Sequence, residues 1–467
     1  MVFSSAIFLL LFLPATFITN YLIRPQYSNA LLLIASLIFY AWGEPVLVFL
    51  MIFSIAFNWF VGVTIDGFAA GDKRKKWLFA VGIVVDLSFL IHYKYAGFLV
   101  STLNSACGRE VIPVPQITLP IGISFFTFQA ISYIIDVYRG DTKASKNIIN
   151  VALYIAFFPQ LIAGPIVKYR DINKQIENRQ ITWDNVALGF RRFIYGLAKK
   201  ILIANILGLC ADTVYSFSLE ELDPRTAWIG ALAYTLQIYY DFSGYSDMAI
   251  GLGKMFGFSI QENFNYPYIS ASIAEFWRRW HISLGSWFRE YVYIPLGGNR
   301  KGERRTFVNL IIVFFLTGLW HGADISFILW GLYHGTFQLV ERLGLKKYLD
   351  RHRVFGRIYC FFVVNAGWVL FRSSHTMEAV RYLVRMMMPW RYRITTIPLW
   401  KFADKRTWFI GICAVFGMGI LQKCVPKKLK ELWTESALEA VWCAFLLVLC
   451  LASTASNTYS PFIYFQF

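Results

Sequence analysis

The sequence predicts an all-α membrane protein whose chain crosses the bilayer many times. Of its 467 residues, 57% are hydrophobic and 16% are charged, and the mean hydropathy is +0.50. Charged residues make up about 25% of an average soluble domain, so the composition excludes a soluble fold. Apolar runs close to the roughly 20 residues that a helix needs to cross hydrocarbon recur along the whole chain. Because several runs are short or broken by Gly and Pro, we expect roughly 11 to 13 transmembrane or re-entrant helices.

Apolar runs mark the candidate helices in chain order. The first are Ser5–Ile23, Ser28–Trp42, Pro45–Ile65, Trp77–His92, Ile117–Val137 and Ile148–Ile166. The others are Ile201–Ser216, Thr226–Gly251, Phe307–Trp320, Ile325–Val340, Ile358–Phe371, Trp408–Leu421 and Ala437–Ala452. The first run has no basic region before it and no persuasive cleavage site, which indicates a transmembrane helix instead of a signal peptide.

Two stretches interrupt the hydrophobic pattern. Residues 157–165 contain Pro and Gly that should break a helix. The segment Glu275–Arg289 mixes Arg with Trp and Phe and is too charged to face lipid. We expect this segment to be either an interfacial amphipathic helix or a re-entrant piece that lines a wet cavity.

Basic residues cluster in short loops between the apolar runs and predict the orientation of the chain. The clusters are Lys73–Lys76, Arg300–Arg305, Lys346–Arg353 and Lys427–Lys430. Cytoplasmic loops carry an excess of Lys and Arg, so a net charge of +17 indicates loops that face anionic lipid and does not require nucleic acid. Counting spans from these loops places the N-terminus and an aromatic tail, 453–467, outside, with 1–452 as the membrane domain. The segment Arg372–Arg406 is basic yet counts as external.

Histidines are the candidate reactive groups, because an ionisable residue in hydrocarbon is costly and needs a reason. His321 lies in the apolar stretch Phe307–Trp330, and His281 lies in the Arg- and Trp-rich segment. A neutral imidazole is cheap to bury and can still accept a proton. Taken alone, each of the two can equally be a structural core histidine. We expect His334 to be packed and hydrogen-bonded in the core. The other three, His92, His352 and His375, should be solvated or interfacial.

Four short motifs in the second half of the chain resemble the membrane-bound O-acyltransferase family. They are EFWRRWHISL (275–284), WFR (287–289), YIPLGGNR (293–300) and WHG (320–322). Supporting stretches are PIGISFFTFQ (120–129), FPQLIAGP (158–165) and YDFSGYSDMA (240–249). Together they are similar to the branch that contains the bacterial alginate and peptidoglycan O-acetyltransferases, and the resemblance covers nearly the whole chain.

The resemblance implies a multi-helix fold around a funnel through the membrane and an acyl-transfer reaction. It implies a cytoplasmic acyl thioester as co-substrate, here expected to be acetyl-CoA, with no bound cofactor and an acceptor across the membrane. His321 maps to the family's catalytic histidine, and His281 maps to the second histidine of the bacterial branch. A histidine base suits this step, because the attacking hydroxyl must lose its proton. Candidate donors to the developing oxyanion are Trp320, the backbone at Gly322 and His281.

The tail ends in the aromatic sequence PFIYFQF (461–467). It resembles the terminal motif of the small peptide partner in teichoic-acid D-alanylation, whose tyrosine is implicated as an acyl relay. On the basis of this resemblance we hypothesise that Tyr464 takes the acetyl group near His321 and passes it to an external acyltransferase protein. The alternative is that these aromatic residues form an interfacial belt at the membrane surface.

Two carboxylates, Asp241 and Asp247, lie in the apolar run Thr226–Gly251 and are costly at that depth. We expect them to pair with a base such as Arg278 or Arg279 in preference to contacting substrate. The basic loops can hold the phosphates of coenzyme A or can serve only to fix the topology. The sequence contains no Walker loop, dinucleotide fingerprint or metal-ligand spacing, and its seven scattered cysteines are expected to be small core residues.

The sequence therefore predicts acetyl transfer across the bacterial inner membrane to an exported or cell-envelope polysaccharide. Partner proteins outside the membrane are expected to complete the transfer. One alternative is D-alanyl transfer from a carrier protein to teichoic acid. The other is a transporter or flippase that uses the same funnel; transporters often carry inverted repeats, and none is visible in this sequence.

Overall fold

A computed structural model of the chain describes residues 1–373, 375–392, 397–434 and 436–456. Within these ranges the regular elements are helices and no β-strand occurs, which confirms the all-α prediction. The contacts divide the chain into two compact units. Unit 1 consists of residues 1–193 and 248–261, and unit 2 consists of residues 194–247 and 262–467. Tyr464 lies outside the described residues.

The helices follow the predicted apolar runs in outline. The first are α1 (Leu13–Leu22), α2 (Ser28–Ala41), α3 (Val48–Gly67), α4 (Lys73–Leu90), α5 (Ala96–Cys107), α6 (Ile123–Arg139), α7 (Ile148–Ala156), α8 (Phe158–Leu161), α9 (Tyr169–Glu177), α10 (Trp183–Ala198), α11 (Asn205–Tyr215) and α12 (Pro224–Met255). They are followed by α13 (Ile273–Arg279), α14 (Ile282–Phe288), α15 (Glu303–His321), α16 (Ile325–Val340), α17 (Lys346–Arg351), α18 (Arg353–Arg372), α19 (Thr376–Met387), α20 (Lys405–Gly417), α21 (Ile420–Cys424), α22 (Lys427–Trp433) and α23 (Ala437–Ser456).

Among the described residues, five helices are long and apolar enough to cross a membrane. They are Val48–Gly67, Lys73–Cys107, Trp183–Tyr215, Arg353–Arg372 and Ala437–Ser456, and the shorter helix Phe8–Leu22 is also apolar. This confirms a chain that crosses the membrane several times. The total of roughly 11 to 13 embedded helices stays a prediction, because the remaining apolar runs form helices that are shorter or, like α12, carry charged residues.

Two helix boundaries differ from the predicted runs for physical reasons. The run Trp77–His92 continues through a π-helical turn to Cys107. The charged Lys94 suggested an end to the run, but its ammonium is buried and donates to the hydroxyl of Ser124 at 3.2 Å. The run Ile148–Ile166 divides at Phe157, whose backbone leaves the helical region, and this break is the one that the local Pro and Gly predict.

Unit 1 has a core of phenylalanine rings and contains none of the predicted site residues. Phe3, Phe8, Phe39 and Phe158 are fully buried, and the ring centroid of Phe3 lies 5.0 to 6.5 Å from the other three. A polar contact also crosses between α3 and α4, where the side-chain amide of Asn58 donates to the buried carboxylate of Asp86 at 2.9 Å. Intramembrane carboxylates usually have such a partner.

Unit 2 holds the predicted site residues, and two glycines bring α15 against α16. A Cβ at Gly318 would lie 2.3 Å from the carbonyl oxygen of Phe327, and a Cβ at Gly331 would lie 2.2 Å from that of Phe314. Backbones can approach this closely only where no side chain intervenes. The close approach sets the end of α15, with His321, beside the aromatic side chains of α16.

Candidate active site

His321 is the last residue of α15 and is enclosed by aromatic rings. Only 3% of the residue is exposed. The ring centroids of Trp320, Trp330 and Phe371 lie 5.0, 5.0 and 5.3 Å from its own, each at a steep angle to it. Rings on three sides leave little room for water, so the cage suits a neutral imidazole better than an imidazolium. The structure thus buries His321, as its apolar context predicts.

α15 ends at this histidine because the backbone becomes extended at Gly322, where φ is −163°. The ring of Phe327 occupies the space that a side chain at this position would need, since a Cβ would approach the ring to 2.1 Å. Asp324 then begins α16, and its carboxylate accepts a hydrogen bond from the amide of Ser326 at 2.7 Å. Gly322 therefore determines where the imidazole of His321 lies.

His281 divides the Arg- and Trp-rich segment into two short helices. α13 ends at Arg279 and α14 begins at Ile282, because His281 has left-handed backbone angles, φ +46° and ψ +53°. This conformation is uncommon outside glycine, although histidine is among the residues that adopt it more readily. The side chain is 1% exposed, and its ring centroid lies 4.7 Å from that of Phe242. The segment therefore does not form one continuous helix, and its position at the interface or along a wet cavity stays a prediction.

Asn263 fixes the orientation of His281. Its Oδ1 accepts hydrogen bonds from the amide of Ser283 at 3.2 Å and from the hydroxyl of Ser283 at 2.9 Å, and lies 3.1 Å from Nδ1 of His281. A backbone amide can only donate, so the atom of Asn263 that faces it is the oxygen. Nδ1 of His281 must then carry the proton and donate to this oxygen. The lone pair of the neutral ring is consequently on Nε2.

Further hydrogen bonds hold Asn263 itself. The residue is fully buried, and its side-chain NH₂ group donates to the hydroxyl of Ser246 at 3.1 Å. Its backbone carbonyl oxygen accepts from the amide of Ile282 at 3.0 Å, directly after the left-handed residue. A buried side chain with this many partners has one orientation, so the tautomer of His281 is determined by the fold.

Trp320 lies between the two histidines. Its ring centroid is 5.0 Å from that of His321 and 5.9 Å from that of His281, and the residue is 4% exposed. Of the three predicted donors to an oxyanion, its indole N–H fits best. Neutral His281 presents a lone pair at Nε2, and the amide of Gly322 already donates to the carbonyl oxygen of Gly318 at 3.3 Å. Gly322 as one of the candidate donors stays a prediction.

The two carboxylates of α12 are paired, as predicted, but their partners are lysines. Nζ of Lys200 lies 2.6 Å from the carboxylate of Asp241, and both side chains are almost fully buried. Nζ of Lys199 lies 2.6 Å from the carboxylate of Asp247 in a partly exposed pair. Both lysines belong to the π-helical turn Lys199–Ala204 between α10 and α11, and such turns occur frequently at functional sites.

Neither predicted arginine partner reaches these carboxylates. Arg279 pairs with Glu275 one turn earlier on α13, with Nη2 and Oε1 3.0 Å apart, and donates to the carbonyl oxygen of Asn265 at 3.1 Å. Arg278 is exposed. The expected pairing with α12 is therefore wrong, because a partner on the same helix face satisfies Arg279 locally.

The remaining histidines have structural or surface positions. His334 is fully buried, with its ring centroid 5.1 to 5.2 Å from those of Trp277, Trp330 and Tyr333. Its packing is as predicted, but within the described ranges neither ring nitrogen has a hydrogen-bond partner. His92, His352 and His375 are exposed, as expected. The described part of the chain contains no group of His, Cys, Asp or Glu side chains arranged to hold a metal ion.

Sequence reasoning missed Asn263, Ser283 and Lys200. Asn263 lies 18 residues before His281 in an irregular segment, so no helical spacing connects them. Lys200 lies directly before the predicted apolar run Ile201–Ser216, where a lysine is expected at a membrane surface and not in a buried ion pair. The feature of the sequence that could have identified them is a polar residue next to apolar or aromatic ones. Such a residue predicts a buried partner, but the sequence does not say which residue that partner is.

Comparisons with known proteins agree with this architecture. The sequence profile described as MBOAT, membrane-bound O-acyltransferase family, matches residues 142–348, which include both His281 and His321. A probable alginate O-acetylase of Pseudomonas putida is 42% identical over 100% of both chains. A peptidoglycan O-acetyltransferase of Helicobacter pylori is 35% identical over 83% of this chain and 80% of its own length. A teichoic acid D-alanyltransferase of Bacillus subtilis is 29% identical over 54% of this chain and 69% of its own length.

The first of these similarities extends over the whole chain, well beyond the matched profile. This similarity agrees with the helical fold, the candidate membrane spans and the buried histidines described above. The resemblance that the short motifs indicated is thereby confirmed. The chain belongs to the membrane-bound O-acyltransferase family and is a multi-pass membrane acyltransferase.

Proposed function

We propose that this protein is an O-acetyltransferase that moves acetyl groups from cytoplasmic acetyl-CoA across the bacterial inner membrane to a cell-envelope or exported polysaccharide. The main support is that two buried histidines, His281 and His321, lie on either side of the indole of Trp320. The relatives of Pseudomonas putida and Helicobacter pylori act, by their names, on alginate and peptidoglycan. A protein partner outside the membrane is proposed to deliver the acetyl group to the polymer.

In this proposal His321 is the general base. The oxygen of the acceptor hydroxyl attacks the carbonyl carbon of the thioester while its proton passes to a ring nitrogen of His321. The tetrahedral intermediate then collapses, the C–S bond breaks, and the imidazolium returns the proton to the departing thiolate. The products are an O-acetyl ester and coenzyme A. A positioned histidine typically contributes about 10²–10⁴-fold to such a step.

The neighbouring groups have separate roles in this scheme. The indole N–H of Trp320 donates to the oxyanion that develops on the carbonyl oxygen. His281 presents a lone pair at Nε2 and therefore acts as a second proton acceptor, for the hydroxyl that receives the acetyl group in the next step. The surrounding rings exclude water and so protect the thioester from hydrolysis.

Tyr464 is the proposed first acceptor. Its phenol would form an aryl ester, which is activated for onward transfer to the external partner. The support is the resemblance of the tail to the aromatic end of the peptide partner in teichoic-acid D-alanylation. An interfacial aromatic belt is the alternative role for these residues.

D-alanyl transfer is the weaker candidate reaction. The Bacillus subtilis relative named for it aligns with only 54% of this chain, whereas the alginate O-acetylase of Pseudomonas putida aligns with all of it. A transporter or flippase is disfavoured, because the family to which the chain belongs consists of acyltransferases.

Isotope-labelled acetyl-CoA tests the donor and the relay. We expect the purified full-length protein to acquire label on its C-terminal peptide, at Tyr464, and to release it when the external partner and polysaccharide are added. Mass spectrometry of the peptide reads the modification directly. The Tyr464→Phe variant, whose ring is the same size, should remain unlabelled. Polysaccharide acetylation at the normal rate by Tyr464→Phe would exclude the relay, and label from a D-alanyl carrier but none from acetyl-CoA would exclude the donor.

Replacing Asn263 tests the role assigned to the tautomer of His281. Asn263→Leu removes the acceptor for Nδ1–H, and we expect acetyl transfer to fall by roughly 10–100-fold, the usual cost of losing a partner that orients a functional histidine. Asn263→Asp keeps an oxygen at the same place and should retain more activity. Its added charge stabilises the protonated ring, so the acid limb of the pH–rate profile should move to higher pH.

The matched control is Ser286→Ala on the same short helix. Its hydroxyl donates only to the carbonyl oxygen of Ser283, at 2.9 Å, and has no contact with the histidine ring among the described hydrogen bonds. We expect this variant to keep the wild-type rate. If Asn263→Leu and Asn263→Asp lose activity equally and without a change in pH profile, Asn263 has only a structural role.

A further inference from the structure

A cavity of about 450 Å³ lies in unit 2 between α11, α12, α18 and α20. Its walls include Leu207, Leu232, Phe361, Ile412 and Phe416, and they include neither of the site histidines nor Trp320. The volume is in the range of pockets that enclose a small organic ligand, about 300–1,000 Å³. This cavity has no part in the proposed acetyl transfer, and its chemistry has to be considered separately.

The walls exclude a polar ligand. Two of the lining residues carry hydroxyl groups, and both hydroxyls have partners in the protein. Thr235 donates to the carbonyl oxygen of Ala231 at 2.8 Å, and Thr407 donates to the carboxylate of Asp404 at 2.7 Å. The other side chains are apolar apart from one cysteine and the indole N–H of Trp408. Burying an unpaired polar group is costly, so a sugar or a nucleotide would be held poorly there, whereas a hydrocarbon chain would be held well.

The cavity opens onto a surface that is itself apolar. Three of its lining residues on α20, Trp408, Ile412 and Phe416, are 42%, 56% and 46% exposed. Exposed apolar surface of this extent on a membrane protein faces hydrocarbon, where it costs nothing. A molecule that is already in the bilayer therefore has direct access to the cavity.

One end of the cavity is basic. Arg225 lies four residues before the lining residue Ile229 on α12, and Lys405 and Arg406 directly precede the lining residue Thr407 on α20. All three cations are exposed. The guanidinium of Arg225 also donates to the carbonyl oxygen of Ile397, in the segment that leads to α20, so these cations lie at the same end.

The two acidic residues at this end, Asp404 and Asp223, do not cancel the charge. Asp404 caps α20, and the hydrogen bonds from the amide and hydroxyl of Thr407 lower the pKa of its carboxyl group, so it remains ionised. Asp223, two residues before Arg225, accepts hydrogen bonds from Thr226 and is the second carboxylate, so three cations and two carboxylates give the cluster a net charge of +1. Lys405 and Arg406 belong to the basic segment Arg372–Arg406, which is at odds with its predicted external orientation. Binding of an anion would explain why Lys405 and Arg406 lie in a segment that is predicted to be external.

We propose that the cavity binds a phospholipid with an anionic headgroup. One acyl chain fills the space between α11, α12 and α20, and the phosphate lies against Arg225, Lys405 and Arg406. The apolar walls select the chain, and the cations at one end select the headgroup. The proposal requires only that the chain spans a membrane, and it does not depend on which acyl group the enzyme transfers.

Native mass spectrometry of the full-length protein tests the site. The protein is equilibrated with phosphatidylglycerol or with phosphatidylcholine of the same acyl composition, and the retained lipid is measured after detergent exchange. We expect phosphatidylglycerol to be retained preferentially. Filling the cavity with Leu232→Trp or, more mildly, Ile412→Phe should reduce retention of both lipids several-fold. Removing two charges with Lys405→Gln and Arg406→Gln should weaken phosphatidylglycerol binding about 25-fold, at about fivefold for each basic residue, and leave phosphatidylcholine unchanged.

The matched control is Leu438→Trp on α23, which places the same bulk on another exposed apolar surface, 69% exposed and outside the cavity. It should retain lipid like the wild type. Size-exclusion chromatography identifies any variant that has not folded, and Ile412→Phe then stands in for Leu232→Trp. Loss of binding with the charge variants but not with the filling variants would show that the lipid is held by its headgroup alone, with no acyl chain in the cavity, and would overturn the proposal. A gain in lipid retention on removal of residues 457–467 would mean that this segment occupies the cavity, which would also overturn it.

Discussion

His321→Ala should reduce acetyl transfer by about 10²–10⁴-fold while the purified protein stays monodisperse. The variant removes the only group in the proposed scheme that takes the proton from the attacking hydroxyl in the first step. His321→Gln keeps most of the side-chain volume in its ring cage and should be similarly inactive, since an amide is not a useful base. The initial rate of label transfer from acetyl-CoA in membrane vesicles measures the loss, and size-exclusion chromatography checks the fold.

His334→Gln is the matched control for this experiment. His334 is also fully buried, and both histidines contact the ring of Trp330. His334 has no role in the proposed reaction, and neither of its ring nitrogens has a hydrogen-bond partner among the described residues. We expect this variant to remain active. Near wild-type transfer by His321→Ala would contradict the assignment, as would equal loss in both glutamine variants, which would indicate that only packing matters.

Asp241→Leu should be strongly destabilising, by about 3–5 kcal/mol, because it leaves the buried ammonium of Lys200 without its counter-charge. Lys200→Met should have a similar effect for the converse reason. The double variant removes both charges together and should recover most of the lost stability, since no uncompensated charge remains buried. Thermal unfolding in a fixed detergent measures all three.

The neighbouring pair is the natural comparison. Lys199 and Asp247 are also 2.6 Å apart, but their side chains are 31% and 16% exposed. Solvent screens a pair of this kind, so Lys199→Met should cost no more than about 1 kcal/mol. If the double variant at Lys200 and Asp241 proves as unstable as either single one, the pair is held by packing and its charges are not the reason for its position.

Local sequence patterns predicted those parts of the fold that depend on local physics. The run Ile325–Val340 coincides residue for residue with α16, because its apolar residues follow directly on a capping Asp324. The helix break at Phe157 follows from Pro159, whose ring and missing amide hydrogen are incompatible with the interior of a helix. The family, the buried position of His321 and the pairing of the α12 carboxylates were also predicted, the first from motifs and the others from the cost of a polar group in hydrocarbon.

The contacts that complete the candidate site are long-range and could not be predicted in this way. Arg279 was an expected partner of the α12 carboxylates on charge alone, yet its guanidinium reaches Glu275 at much lower cost. Lys200 pairs instead, because a π-helical turn presents it to α12, and such a turn has no signature in hydropathy. Asn263 meets His281 only after the intervening chain has folded back on itself, which no periodicity records.

The left-handed backbone at His281 restricts how this position can vary in evolution. Among the described residues, two that are not glycine have a φ of +46°, His281 and Tyr266, and asparagine, aspartate and histidine are the residues that adopt such angles most easily. Of these, only histidine has a proton acceptor that titrates near neutral pH. A relative that has lost this histidine should therefore carry asparagine, aspartate or glycine, so that its chain still turns here although it has lost the base. A β-branched residue should not occur at this position, because such residues are steric outliers at positive φ.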